Sequence, residues 1–98
     1  MNKLTNHEIS TRLALMQGWK LIGQSIEKEF EFSDFKAAMV FVNRIAVVAE
    51  ELKHHPDWSN SHNKVHISLT SHDAGGITEK DFSFALESDK ASKYQKQQ

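Results

Sequence analysis

The sequence contains no cysteine. That removes disulfide frameworks, thiolate metal sites and cysteine nucleophiles, and it suits a reducing cytosol. Long apolar runs are also missing: the longest, Ala37 to Val42, is far below the ~18 residues that a membrane-spanning helix needs. The N-terminus lacks a basic-then-apolar leader pattern, so the chain reads as soluble, cytoplasmic and untargeted, with no membrane partner. Charge of one sign is absent as well. Twelve basic and thirteen acidic side chains leave a net charge of −1, which offers no broad positive field to the phosphates of a nucleic acid. No G-x-S-x-G, G-x-G-x-x-G or G-x-x-x-x-G-K-[ST] pattern occurs, so neither a nucleophile elbow nor a nucleotide-binding loop is indicated. The single proline, Pro56, disfavours the α conformation at His55. A helix reaching this point should finish near Lys53 or His54 and give way to an extended segment.

What is present is a regular alternation of element patterns within one domain, residues 1–98, of a size that holds one core. Thr5 and Glu8 have capping-box spacing and Leu4 with Ile9 fits a hydrophobic staple, so a first helix begins there, with Ile9, Leu13 and Met16 on one face and Gly18 as its expected end. Trp19 to Ile22 reads as a short strand, and Gly23-Gln24 as a turn. Ile26, Phe30 and Phe32 alternate with Glu27, Glu29 and Glu31 in a second strand that should pair with the first.

Ser33 is the expected N-cap of the longest helix, Asp34 to Lys53, which carries two apolar stripes. One is Phe35, Met39, Val42, Ile45, Ala49 and Leu52; the other, Val40, Phe41, Val47 and Val48, calls for a second covering surface, most simply another subunit. Lys64 to Thr70 alternates again, with Val65, Ile67 and Leu69 inward, before a Gly75-Gly76 turn. Thr78 with Asp81 repeats the capping pattern, Ile77 and Phe82 could staple it, and Phe82, Ala85 and Leu86 continue a third helix. The polar tail is expected to fray from about residue 89. Counting the extended segment after Pro56 as a strand, the order is α-β-β-α-β-β-α.

The histidines carry the chemical interest. His54 and His55 stand at a helix end, His62 in the following loop and His72 just past a strand end. Imidazole, with an unperturbed pKa of about 6.5, both donates and accepts protons near neutrality, and element boundaries are where scaffolds present such groups. A zinc site is the first competitor, but adjacent residues point about 100° apart on a helix, or to opposite sides of a strand, so His54 and His55 chelate one ion poorly. His66, on an outward strand face, and His7, in the first helical turn, read as surface residues.

Glu50-Glu51-Leu52-Lys53-His54-His55-Pro56-Asp57-Trp58, Asn63-Lys64-Val65, Thr70 through Thr78, and Asp81-Phe82 together resemble the pterin-4a-carbinolamine dehydratases. The resemblance implies a two-layer α+β fold, an antiparallel four-stranded sheet with helices packed on one face, assembled as a homodimer or homotetramer. The implied reaction dehydrates a 4a-hydroxytetrahydropterin to a quinonoid dihydropterin by acid-base catalysis, with no metal and no cofactor, the pterin being the substrate. Carried over, His54 and His72 match the principal acid-base histidines and His55 the one that mainly binds and orients the pterin. Pro56 shapes the turn, and Ser71, His72, Asp73 and Ala74 match the other wall of the pocket. Asp81 fits either an orienting carboxylate or a capping partner, and Trp58 either a pocket wall or core packing. His62 departs from the family, which usually has an aromatic residue there. The alternatives are a non-catalytic oligomeric binding module of the same fold, as in animal members that also bind a homeodomain transcription factor, or a dehydratase-like protein acting on another pterin such as the molybdenum cofactor.

Overall fold

The computed structural model describes residues 2–96, with side chains to residue 93. Thr5 caps α1 (Asn6–Leu13) through a complete capping box with Glu8. The helix stops short of Gly18: the amides of Leu15 and Met16 reach back three residues, to Arg12 and Leu13. These tight turns exhaust the helix before Gly18, which takes a positive φ of 84° and leads into β1 (Lys20–Ile22). β1 pairs with β2 (Ser25–Glu31) as the expected hairpin. After α2 (Phe35–Leu52), β3 (Asp57–Ser61) and β4 (Lys64–Leu69) form a second hairpin, and α3 runs from Glu79 to Lys96. The sheet has four antiparallel strands in the order β1-β2-β4-β3.

One face of this sheet is apolar and the other polar because the side chains alternate along each strand. Ile26, Phe30, Val65, Ile67 and Leu69 point under the helices and are buried, whereas Glu29 and Ser59 on the opposite face are exposed. Trp58 packs against the same core.

The cap of α2 is Asp34 rather than Ser33; its Oδ1 accepts the Ala37 amide at 2.8 Å. The buried stripe keeps Ile45 and Ala49 from the expected one and takes Phe41 from the other. Ala38, Phe41, Ile45 and Ala49 face the core, and Phe41 stacks at a tilt on Phe30 and Phe32 with centroids 4.8 and 4.9 Å apart. Phe35, assigned to the core by its spacing, is 51% exposed. Two stripes side by side share one periodicity, and aromatic packing against β2 decides between them.

On α3 Phe82 and Ala85 are buried as expected and Phe84 joins them, while Leu86 is exposed. Where fraying was expected, the helix continues to Lys96; residues 97–98 of the tail lie outside the described residues. The helix is held against the core: Ser88 and Ser92 are buried, the Ser92 hydroxyl bonds the Asp89 carbonyl, and the Asp89 side chain accepts the Trp19 indole N–H at 3.1 Å and pairs with Lys28 at 2.8 Å. A hydropathy pattern does not register an indole donor 70 residues away.

Candidate functional site

The C-terminus of α2 positions the first pair of histidines. Lys53 adopts the left-handed conformation (φ 53°, ψ 44°), the Lys53 amide bonds the Glu50 carbonyl, and the His54 amide bonds the Ala49 carbonyl at 3.0 Å. This is the Schellman closure, usually made with glycine at the left-handed position. It turns the chain so that the His54 side chain, 12% exposed, faces the first turn of α3.

There it meets Asp81, whose side chain is fully buried. His54 Nε2 lies 2.5 Å from Asp81 Oδ1. The other carboxylate oxygen accepts the Thr78 amide at 2.8 Å and the Ser71 hydroxyl at 2.9 Å, and the Ser71 and Thr78 hydroxyls are themselves 2.8 Å apart. A carboxylate only accepts, so Nε2 carries the hydrogen and, in the neutral ring, Nδ1 keeps its lone pair. One oxygen of Asp81 thus meets His54 and the other the Ser71–Thr78 end of α3.

The opposite wall is a clasped loop. Ser71 and Gly76 bond each other in both directions, at 3.0 and 3.2 Å, enclosing a 3₁₀ turn over His72–Ala74 that ends at Gly75 with φ 75°. No atom crowds a Cβ at Gly75, so its left-handed backbone alone calls for glycine. His72 and Asp73 are exposed on this turn.

His54, His55, Ser71, His72, Asp73 and Ala74 line one cavity of about 360 Å³. Lys53, Thr70, Thr78 and Lys80, none of which the sequence marked as a site residue, line it too. His55 is 69% exposed and its Nε2 lies 2.7 Å from Glu50 Oε2, a carboxylate one turn earlier on α2. Pro56 shapes the chain beyond His55 but does not line the cavity. His62 sits on the β3–β4 turn with φ 54° and also lies off the cavity, so its departure from an aromatic residue leaves this wall unchanged. His66 is on the open sheet face, 2.7 Å from Glu27; the Ser25 hydroxyl first, and then this imidazole, hold the Glu27 carboxyl below the usual carboxylate range. Among the described residues no group of three or more His, Cys, Asp or Glu side chains is arranged to hold a metal ion, and no helix is long and apolar enough to cross a membrane.

Chemically, the cavity offers imidazoles from two directions, one of them fixed by a buried carboxylate. The family model described as pterin 4 alpha carbinolamine dehydratase matches residues 2–91. A relative from Christiangramia forsetii, named "Putative pterin-4-alpha-carbinolamine dehydratase", is 47% identical over 85 residues, covering 87% of this chain and 88% of its own length. One of the same name from Sulfurisphaera tokodaii is 48% identical over 89 residues, covering 91% and 96%. The crystal structure of a transcriptional coactivator/pterin dehydratase from Brucella melitensis superposes with a TM-score of 0.90 at 34% identity, over 93% of this chain and 99% of that one. A pterin dehydratase-like protein described as a RuBisCO assembly factor in the alpha-carboxysome shares the fold, with a TM-score of 0.67 at 24% identity over 78% of this chain and 90% of that one.

Proposed function

Because the chain belongs to the pterin-4-alpha-carbinolamine dehydratase family, we propose that it dehydrates a 4a-hydroxytetrahydropterin to the quinonoid dihydropterin in tetrahydropterin recycling. The reaction needs a proton on the departing 4a-hydroxyl, which leaves as water, and an acceptor for the proton on the adjacent ring nitrogen as the carbon–nitrogen double bond forms. His54, its Nε2–H held by Asp81, presents Nδ1 as the acceptor. His72, with no side-chain partner among the described residues, supplies the proton, and His55 orients the ring. General acid-base help of this kind contributes roughly 10²- to 10⁴-fold, about 3 to 5 kcal/mol of barrier. A carbinolamine already prone to lose water asks for little more.

The single observation carrying this reading is that His54, His55 and His72 share one cavity. A purely binding module of the same fold would give three imidazoles there no work. The test is to add purified protein, in buffer containing a chelator, to freshly generated 4a-hydroxytetrahydropterin and follow quinonoid product by absorbance. Accelerated, chelator-insensitive formation is expected. No acceleration over buffer defeats the enzyme reading; activity lost with a stoichiometric metal and restored on its return defeats the metal-free mechanism.

The same proposal includes a homo-oligomer, a dimer or a tetramer. With Phe41 in the core and Val48 packed against it, the second stripe of α2 retains Val40, half-buried, and Val47, 58% exposed. Each large side chain of this kind contributes about 1.5 to 3 kcal/mol when fully buried, and a self-complementary patch is the simplest cover. Val47→Glu should shift the protein toward smaller species in sedimentation velocity while keeping measurable activity, since the cavity lies at the end of α2. A wild-type protein that sediments as a monomer at micromolar concentration would overturn this assembly.

A further inference from the structure

The cavity's free charge is predominantly cationic. Lys53 immediately precedes His54 and Lys80 immediately precedes Asp81, and both lysines line the cavity that His54 lines. Neither ammonium has a hydrogen bond or ion pair among the described residues. The carboxylates around them are mostly engaged: Asp81 by His54, Ser71 and the Thr78 amide, Glu50 by His55, and Glu79, next to Lys80, by a two-pronged contact from Arg12 that holds its carboxyl below the usual range. Asp73 is the one carboxylate on the cavity wall.

Local backbone energetics account for Lys53 only in part and for Lys80 not at all. Lys53 holds the left-handed position of a Schellman closure, where glycine is favoured, although its charge suits the C-terminal end of α2. Lys80 lies in the first turn of α3, where the helix dipole disfavours a cation. Resting on the pterin reading above, we infer that this cavity selects a pterin whose side chain ends in an anion, a phosphate ester or a carboxylate, received by Lys53 and Lys80. The ring sits between the histidines, and the anionic end reaches the lysines at the rim.

The test uses 7,8-dihydropterins that share one ring, with side chains ending in a hydroxyl, a phosphate ester or a carboxylate, titrated into the whole protein by calorimetry. A charge-assisted contact corresponds to about ten-fold or more in affinity. The phosphate compound is therefore expected to bind about ten-fold more tightly than the alcohol at low salt, the advantage shrinking as ionic strength rises. The carboxylate compound tells the two anion sources apart, since an equal advantage there indicates recognition of charge and a smaller one indicates phosphate.

Lys53→Gly and Lys80→Gln should each reduce the preference, and together abolish it. Thermal midpoints verify folding, and Lys53→Gly relieves a left-handed residue. Equal binding of all three compounds by the wild type overturns this inference while leaving the pterin reading intact. Binding of none defeats both, and a preference that survives in the double variant removes the lysines from the assignment.

Discussion

His54→Ala and His72→Ala should each lower the rate of 4a-hydroxytetrahydropterin dehydration about ten-fold or more, the scale expected for losing a positioned acid or base. The two losses arise differently. Without His54 the acceptor is gone and Asp81 is left buried with one oxygen uncompensated, so some stability goes with the activity. His72 sits exposed on a clasped turn whose backbone bonds do not use its side chain, so His72→Ala should lose rate with little change in thermal midpoint. His66→Ala is the control, because His66 lies on the open face of the sheet against Glu27. Equal damage from His66→Ala in folded protein would place the chemistry on the wrong side of the sheet.

Asp81→Ala should have the largest effect on stability. The carboxylate is fully buried and receives His54 Nε2, the Ser71 hydroxyl and the Thr78 amide. Each buried polar group left unsatisfied costs about 1–3 kcal/mol. Because the Ser71 and Thr78 hydroxyls can still bond each other, a loss of about 2–4 kcal/mol is expected, lowering the thermal midpoint by roughly 10 °C or more. Asp81→Asn separates the roles. Its carbonyl can replace Oδ2 toward Ser71 and Thr78, but its amide then faces Nε2 as a donor and selects the other tautomer of His54. That variant should stay near wild-type stability yet lose about ten-fold or more in rate. An Asp81→Asn protein with full activity would show that the tautomer of His54 does not matter to the reaction.

Much of this architecture is legible in the sequence because local rules and tertiary context agree. The Thr5–Glu8 capping box forms, the strands alternate as written, and Pro56 follows the end of α2 closely. Histidines at element ends meet in one cavity. The early end of α1 and the cap of α2 are decided by local contacts, whereas in the core and the cavity the deciding partner lies far away in sequence. Phe41 and Phe35 are indistinguishable by period until Phe30 and Phe32 select Phe41. For Asp81 the sequence leaves a capping and an orienting role open, and it is the arrival of His54 from α2 that gives its second oxygen a partner. Lys53 and Lys80 look like solvated surface charges until the cavity wall is drawn through them.

The span of these contacts also bears on how the molecule can be made. His54 must find Asp81 across 27 residues, and Trp19 must find Asp89 across 70, whereas each sheet hairpin closes within a few residues. On a ribosome that releases the N-terminus first, both hairpins and α2 can leave the exit tunnel while the cavity still lacks one wall. His54 then stands beside water rather than a carboxylate, and Trp19 has no acceptor for its indole. The His54–Asp81 pair and the closure of the core therefore arrive together, when α3 emerges and docks, so a nascent chain released before that point has a sheet without the cavity.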